Sequence, residues 1–209
     1  MHTGEQYHHF ILSSRRDQLV RDRFQKMALK LLTEGGDVLD FGAGTGIDAK
    51  AYAANGHRTF VYEPSAAMGE YLTRYCRDEI ARKTIIPVAS PLACKVQGVT
   101  ANFAVFDHFA DHALLFDELS RVVNRGGFIL ANMLNPYCLS DARYAWWRKN
   151  LANLVRSGHY VIPSESNIHR FAPRVVVRAA APHFQLDRLI PRGFGWVTGL
   201  YMFLLFRRV

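Results

Sequence analysis

The sequence predicts an α/β fold built on an open, mostly parallel sheet, and three observations on its 209 residues lead there. The stretch from Asp37 to Met68 reads as strand, glycine turn, helix, strand. Apolar Val38-Leu39 runs into Asp40-Phe41-Gly42-Ala43-Gly44-Thr45-Gly46, and Thr59-Phe60-Val61-Tyr62 ends on Glu63-Pro64-Ser65. Further short apolar runs then alternate with helical patterns, as buried parallel strands and their crossover helices do. Hydrophobic residues make up 49% of the chain, which suits one domain with a full core.

The elements follow in order. Ser13-Ser14 can cap a helix from Arg15 to about Leu32, with Leu19, Val20, Phe24, Met27, Leu31 and Leu32 on one face. Gly35-Gly36 ends it, and Gly56 stops the helix between the first two strands. A helix from Ser65 to about Ile80 leads to a third strand, Thr84–Val88. Residues Ser90 to Ala101 read as a linker, too rich in breakers for a long helix, and Asn102–Phe106 as the fourth strand. A helix from Asp111 to Val123, with Leu114, Leu115, Leu119 and Val122 inward, precedes the turn Asn124-Arg125-Gly126-Gly127 and a fifth strand, Phe128–Ala131. Asn135-Pro136-Tyr137 reads as a plain turn, Ser140–Ser157 as an extra helix stopped by Gly158, and Pro173 as the start of a helix to about Ala181. Two strands, Phe184–Ile190 and Trp196–Phe206, close the chain.

The glycines of the turn let the backbone bend sharply and approach a ligand with no side chain between. Such a ligand lies at the carboxyl ends of the strands, where open α/β sheets bind cofactors. The dinucleotide fingerprint needs a third small residue for helix–strand packing, and counting from Gly42 and Gly44 that position is Ile47. The spacing therefore departs from an NAD site.

Asp40-x-Gly42-x-Gly44-x-Gly46 instead resembles the first motif of the class I S-adenosylmethionine-dependent methyltransferases. Glu63-Pro64-Ser65-Ala66-Ala67-Met68 is similar to that family's second-strand motif, and Glu118 to Gly127 resembles its turn before strand five. The resemblance covers roughly residues 35–131 and, by layout, extends to the C-terminus. It implies a Rossmann-like three-layer sandwich: a mostly parallel seven-stranded sheet, a C-terminal antiparallel hairpin and a helical insert after strand five. By the same resemblance residues 1–34 form an N-terminal helical cap and 35–131 the cofactor-binding core. Residues 136–173 form the insert or substrate lid, and 174–209 the last helix and hairpin, all within one domain.

The cofactor so implied is S-adenosyl-L-methionine. Asp40, Gly42, Ala43, Gly44 and Gly46 would run beside its methionine part, with Asp48 near the methionyl end. Glu63 would take the ribose hydroxyls, while Pro64 and Met68 would touch adenine. A carboxylate suits a vicinal diol, since it accepts two charge-assisted hydrogen bonds. Ser90 stands after the third strand where the family commonly has an acid, and Asn102 where it usually opens the fourth strand with Asp. Asp107 and His108 then fall at that strand's carboxyl end, where the methyl group should emerge. His112 falls where many relatives carry a histidine. N-terminal residues of relatives often fold over the cofactor, so Tyr7 or His8 either does so here or belongs to a mobile tail.

Lys plus Arg number 26 against 18 for Asp plus Glu, a net charge of +8. That balance favours an acidic partner (nucleic acid, an anionic membrane surface or an acidic small molecule) without choosing among them. Cys76, Cys94 and Cys138 are odd in number and far apart, and Met1 to Glu5 offers no apolar signal core. A cytoplasmic, reducing location is expected. Leu200–Phe206 is far short of the ~20 residues of a membrane helix. Trp146 and Trp147 beside Arg143, Arg148, Lys149 and Arg156 line an apolar pocket for an acidic substrate, lie in a membrane interface, or form core under a solvated basic face.

The leading expectation is methyl transfer, by in-line displacement, to a small-molecule or lipid-like acceptor, on oxygen in preference to nitrogen. Candidate general bases are His108, His112, His159 and His169, the first two favoured because they fall near the expected methyl exit. Candidate substrate contacts are Tyr7, His108, Trp146, His169 and Arg170. No metal cluster is expected, because Asp107 has no evident carboxylate partner. An RNA methyltransferase is the first alternative, although no base-holding motif follows the fourth strand. A non-catalytic scaffold that binds the cofactor is the second.

Overall fold

The computed structural model describes residues 4–162, 167–193 and 195–209; residues 1–3 of the expected cap and 163–166 of the expected insert lie outside the described residues. The chain starts with two helices, α1 (Gly4–Ser13) and α2 (Arg15–Leu31). Ser14 caps α2 by accepting the Asp17 N–H on its hydroxyl. Then follow β1 (Val38–Phe41), α3 (Ile47–Ala54), β2 (Thr59–Tyr62), α4 (Ala66–Tyr75), α5 (Arg77–Ala81), β3 (Ile85–Pro87) and β4 (Val96–Ala101). The second half adds α6 (His112–Ser120), β5 (Val123–Leu134), α7 (Ala145–Arg156), β6 (His159–Ile162) and β7 (Ile168–Phe171). It ends with α8 (Pro173–Ala180), β8 (Phe184–Ile190), α9 (Gly195–Thr198) and β9 (Tyr201–Arg208).

Seven strands form one sheet in the order β3-β2-β1-β4-β5-β9-β8. The first five are parallel, and β9 enters antiparallel between β5 and β8. Strand periodicity makes the three layers. On β5 and β9, Phe128, Leu130, Phe203 and Leu205 pack with Phe24 and Ala28 of α2. Their neighbours Ile129, Ala131, Leu204 and Phe206 point the other way, toward Leu115, Phe116 and Leu119 of α6 and Val176 of α8. The fold is the Rossmann-like α/β sandwich with a C-terminal antiparallel hairpin that the motifs imply.

Several elements differ from the sequence expectation, among them the helix expected over Ser65–Ile80, which is divided at Cys76 into α4 and α5. The fourth strand is Val96–Ala101, not 102–106, so Asn102 sits at its carboxyl end rather than opening it. Gly98 reads as a breaker along the chain, yet here it clears room for a neighbour. A Cβ at that position would stand 2.3 Å from the Phe128 ring on β5. The stretch after Gly158 pairs as a separate hairpin, β6–β7, where no strand is expected. Finally, Trp196 lies in the short α9 and the last strand begins only at Tyr201.

Asn135 is more than a turn residue. It is fully buried, and its side-chain amide donates to the carbonyls of Trp196 and Gly199, both at 2.7 Å. It thereby ties the exit of β5 to the segment that enters β9.

Candidate active site

Three parallel strands, β1, β2 and β4, end beneath a cavity of about 930 Å³, within the ~300–1,000 Å³ of small-molecule sites. The glycine turn after β1 forms its floor. Gly42 has φ +75°, and a Cβ there would meet Val105 at 2.6 Å. Gly44 has φ +55° and faces open space, with nothing within 4 Å of where a Cβ would be. Gly44 lines the cavity, and glycine here meets the backbone's left-handed turn while leaving that space free of a side chain. Gly46, behind the wall, turns the chain into α3, and its Cβ position is 2.6 Å from Cys76 Sγ.

Glu63, at the end of β2, is held by that turn. The Gly44 N–H donates to Oε2 at 2.7 Å and the Ser65 N–H to Oε1 at 2.8 Å. Each oxygen keeps a further lone pair for a ligand. Pro64 and Met68 line the wall beside it. Phe41, Tyr62 and Phe109 form an aromatic face, with Phe41 5.4 Å from Tyr62 and 5.7 Å from Phe109 between ring centroids.

The opposite wall is polar and buried. Asp48 accepts hydrogen bonds from Arg21 Nη1 at 2.5 Å, Gln25 Nε2 at 2.7 Å and Asn102 Nδ2 at 3.0 Å. Asn102 Oδ1 in turn accepts from Asn132 Nδ2 at 2.8 Å. Sequence reading missed Arg21 and Gln25, which lie on α2, outside every motif. Their spacing of one helical turn on a face otherwise carrying core residues was the available signal. Asp40 lies below this network, 2% exposed, and burial followed by the nearby Asp48 charge pushes its carboxyl well above the usual range. It supports the turn from beneath and is not on the cavity wall.

Phe103 reaches the cavity through an unusual turn. Phe103 and Ala104 have φ +55° and +65°, left-handed values that cost ~1–3 kcal/mol each in non-glycine residues. The turn is pinned by Phe103 N–H on Asn102 Oδ1 and by Ala104 N–H on the Asn132 carbonyl. Arg21 lies 4.7 Å over the Phe103 ring. Such strain gathers where a side chain must be aimed, here directly after β4.

Helix α1 reaches the cavity through Tyr7, and burial raises the phenol pKa. His8 bonds Thr45 Oγ1 of the glycine turn at 3.1 Å through Nδ1 and sits against Tyr71 and Tyr75 of α4.

Of the other expected site residues, Ala43 and His108 line the cavity, whereas Ser90, Asp107, His112, Trp146, His169 and Arg170 do not. Asp107 is fully buried; burial raises its pKa well above normal, and its Oδ2 accepts the Leu134 N–H. It braces the end of β5. Arg170 is an internal ion-pair partner of Asp141 at 3.4 Å. His169 shares a 2.9 Å hydrogen bond with His159 inside the β6–β7 hairpin. Trp146 packs with Tyr160.

His112 is a core histidine. Its Nε2 lies 3.0 Å from the Phe106 carbonyl, and burial pulls its pKa down to about 4 from 6.5. Between about pH 6.5 and 4 the unfolded chain binds a proton that the folded chain refuses, so His112 lowers stability as pH falls through that window. Wild type should lose up to ~3 kcal/mol more than His112→Gln across this range. Denaturant unfolding at each pH measures it; parallel curves for the two proteins would refute a buried neutral His112.

Among solved structures, the chain is similar to an S-adenosylmethionine-dependent methyltransferase from Clostridium acetobutylicum, at 10% identity and TM-score 0.69 over 98% of each chain. It is also similar to a methyltransferase from Streptomyces caelestis, at 16% identity and TM-score 0.65 over 90% of this chain and 89% of that one. A third is the geranyl diphosphate C-methyltransferase of Streptomyces coelicolor, solved with S-adenosyl-L-homocysteine. It matches at 18% identity and TM-score 0.63 over 92% of this chain and 80% of that one. No curated protein sequence matches the chain. At these identities the solved structures establish the fold. The profile of a methyltransferase-domain family, however, matches residues 12–174, most of the sequence. The chain belongs to that family and is an S-adenosyl-L-methionine-dependent methyltransferase.

Proposed function

We propose that the enzyme methylates an oxygen of a small, largely apolar acceptor, with His108 as the general base. The observation that carries this reading is the position of His108. Of the histidines at 108, 112, 159 and 169, it alone lines the cavity, beside Phe109 and on the segment that follows β4. The aromatic face of Phe41, Tyr62 and Phe109 with Phe103 suits an apolar body.

The residues present fit the cofactor. Gly44 lines the cavity with no side chain, and Glu63 offers free lone pairs that suit a ribose diol. Pro64 and Met68 supply an apolar slot for adenine. Arg21, already on the cavity wall, supplies positive charge for a carboxylate, with Asp48 beside it for an amine. When bound, S-adenosylmethionine supplies an electrophilic methyl group on a sulfonium.

The remaining work falls to the chain. It holds the acceptor oxygen in line with that methyl and receives the hydroxyl proton at the His108 imidazole. Steady-state methylation of a panel of hydrophobic hydroxy compounds, followed as S-adenosylhomocysteine release, tests the reading. His108→Gln should lower kcat ~10²–10⁴-fold and leave cofactor affinity within a factor of two or so. An unchanged kcat would remove His108 from catalysis.

A further inference from the structure

We infer that the outer face of α7 docks the enzyme on an anionic lipid surface. One side of α7 belongs to the protein. Leu154 is buried, Trp146 and Trp147 pack with Tyr160 and Ala172, and Trp147 Nε1 donates to the Pro136 carbonyl at 3.0 Å. The other side carries an apolar stripe. Tyr144, Leu151 and Val155 are 41%, 44% and 72% exposed, and Leu139, just before the helix, is 56% exposed. Positions 151 and 155 lie one turn apart on one face of α7, and Tyr144 is the N-cap of that helix.

Along the chain, the charge beside this stripe has one sign. Arg143, Arg148, Lys149 and Arg156 neighbour it in sequence, and the sequence contains no Asp or Glu from Ala142 to Ser164. Asp141, at the border, is buried and engaged by Arg170. Among the described residues no carboxylate pairs with any of the four cations. An apolar stripe flanked by uncompensated cations matches a bilayer interface with anionic headgroups. Nucleic acid would use the cations and the Tyr144 ring, but it leaves exposed Leu139, Leu151 and Val155 without an apolar partner. No helix among the described residues is long and apolar enough to cross a membrane, so the contact is peripheral.

The location gives the surface a purpose. The insert leaves the sheet from the end of β5, and the cavity lies beyond the carboxyl ends of β1, β2 and β4, so both occupy one edge of the sheet. An apolar acceptor dissolved in a bilayer would meet the enzyme at that edge. The inference goes beyond the proposed reaction and does not depend on His108 or on the acceptor's identity.

Flotation of the full-length protein with vesicles tests it. Binding is expected to vesicles of phosphatidylcholine with phosphatidylglycerol, and not to phosphatidylcholine alone, and it should weaken as salt rises. Arg148→Glu/Lys149→Glu/Arg156→Glu should lower partitioning at least ~100-fold. Leu151→Ser/Val155→Ser should lower it ~10-fold or more with its salt dependence retained. All five positions are exposed, so both variants should keep the wild-type melting curve. Equal partitioning of the charge-reversed variant and wild type would overturn the inference. So would vesicle-independent RNA binding, or a dimer that the serine variant dissolves without any lipid binding. Calorimetric titration of each variant with S-adenosylmethionine reports the cofactor site separately, so failure there and failure at the membrane are told apart.

Discussion

Replacing Asp48 by alanine should destabilise the protein by about 3–5 kcal/mol, the cost of leaving a buried partner charge uncompensated. The side chains of Arg21 and Asp48 are only 12% and 6% exposed. Three donors converge on the Asp48 carboxylate, from Arg21, Gln25 and Asn102. Removing it strands a guanidinium against the Phe103 ring and leaves the Asn102 amide without its acceptor. Arg21→Met combined with Asp48→Leu takes out both charges and should recover most of the lost stability, since buried pairs contribute little net. The double variant should nonetheless bind S-adenosylmethionine more weakly, because the cavity wall loses the two charged groups proposed for the methionyl end. Urea unfolding and calorimetric titration separate the two effects. A loss below ~1 kcal/mol for the single change would mean that Arg21 finds water or another acceptor.

Glu63→Ala should weaken S-adenosylmethionine binding by one to two decades, from loss of charge-assisted hydrogen bonds worth roughly 1.5–3 kcal/mol. The carboxylate has two tasks. It accepts the Gly44 and Ser65 N–H groups, which sets the turn, and it presents its remaining lone pairs to the cavity. Glu63→Gln separates them in part: the amide oxygen keeps one backbone bond, while the amide nitrogen faces the other N–H donor. Glutamine should therefore also bind weakly, although it nearly preserves shape. NADH serves as the negative control. Unchanged affinity in a variant that melts like wild type would remove Glu63 from the ribose site.

The sequence was most legible where the determining contacts are local. Val38–Phe41 and Thr59–Tyr62 are short apolar runs bounded by turn residues, and both are strands in parallel register. Legibility failed at β4 because Gly98 and Gln97 look like loop residues until the Phe128 ring is seen occupying the space above Gly98. The histidines show the same limit. His108 and His112 are one helical turn apart in the chain, yet one lines the cavity and the other is buried against Phe171 with 4.1 Å between ring centroids. Nothing in their immediate neighbours distinguishes them. The strand that makes the difference, β7, comes from an insert whose pairing was not legible at all.

By itself the sequence determined the parallel sheet, the glycine turn and the carboxylate that follows β2. Each depends on backbone freedom or strand periodicity expressed within a few residues. Only the tertiary structure decided which polar groups face the ligand. Arg21 reaches Asp48 across 27 residues and Asn102 reaches it across 54, so the polar wall exists only once α2 and β4 are packed. The same packing took Asp107, His112 and Arg170 out of the site, because a buried polar group must find its partner where the surrounding core puts one.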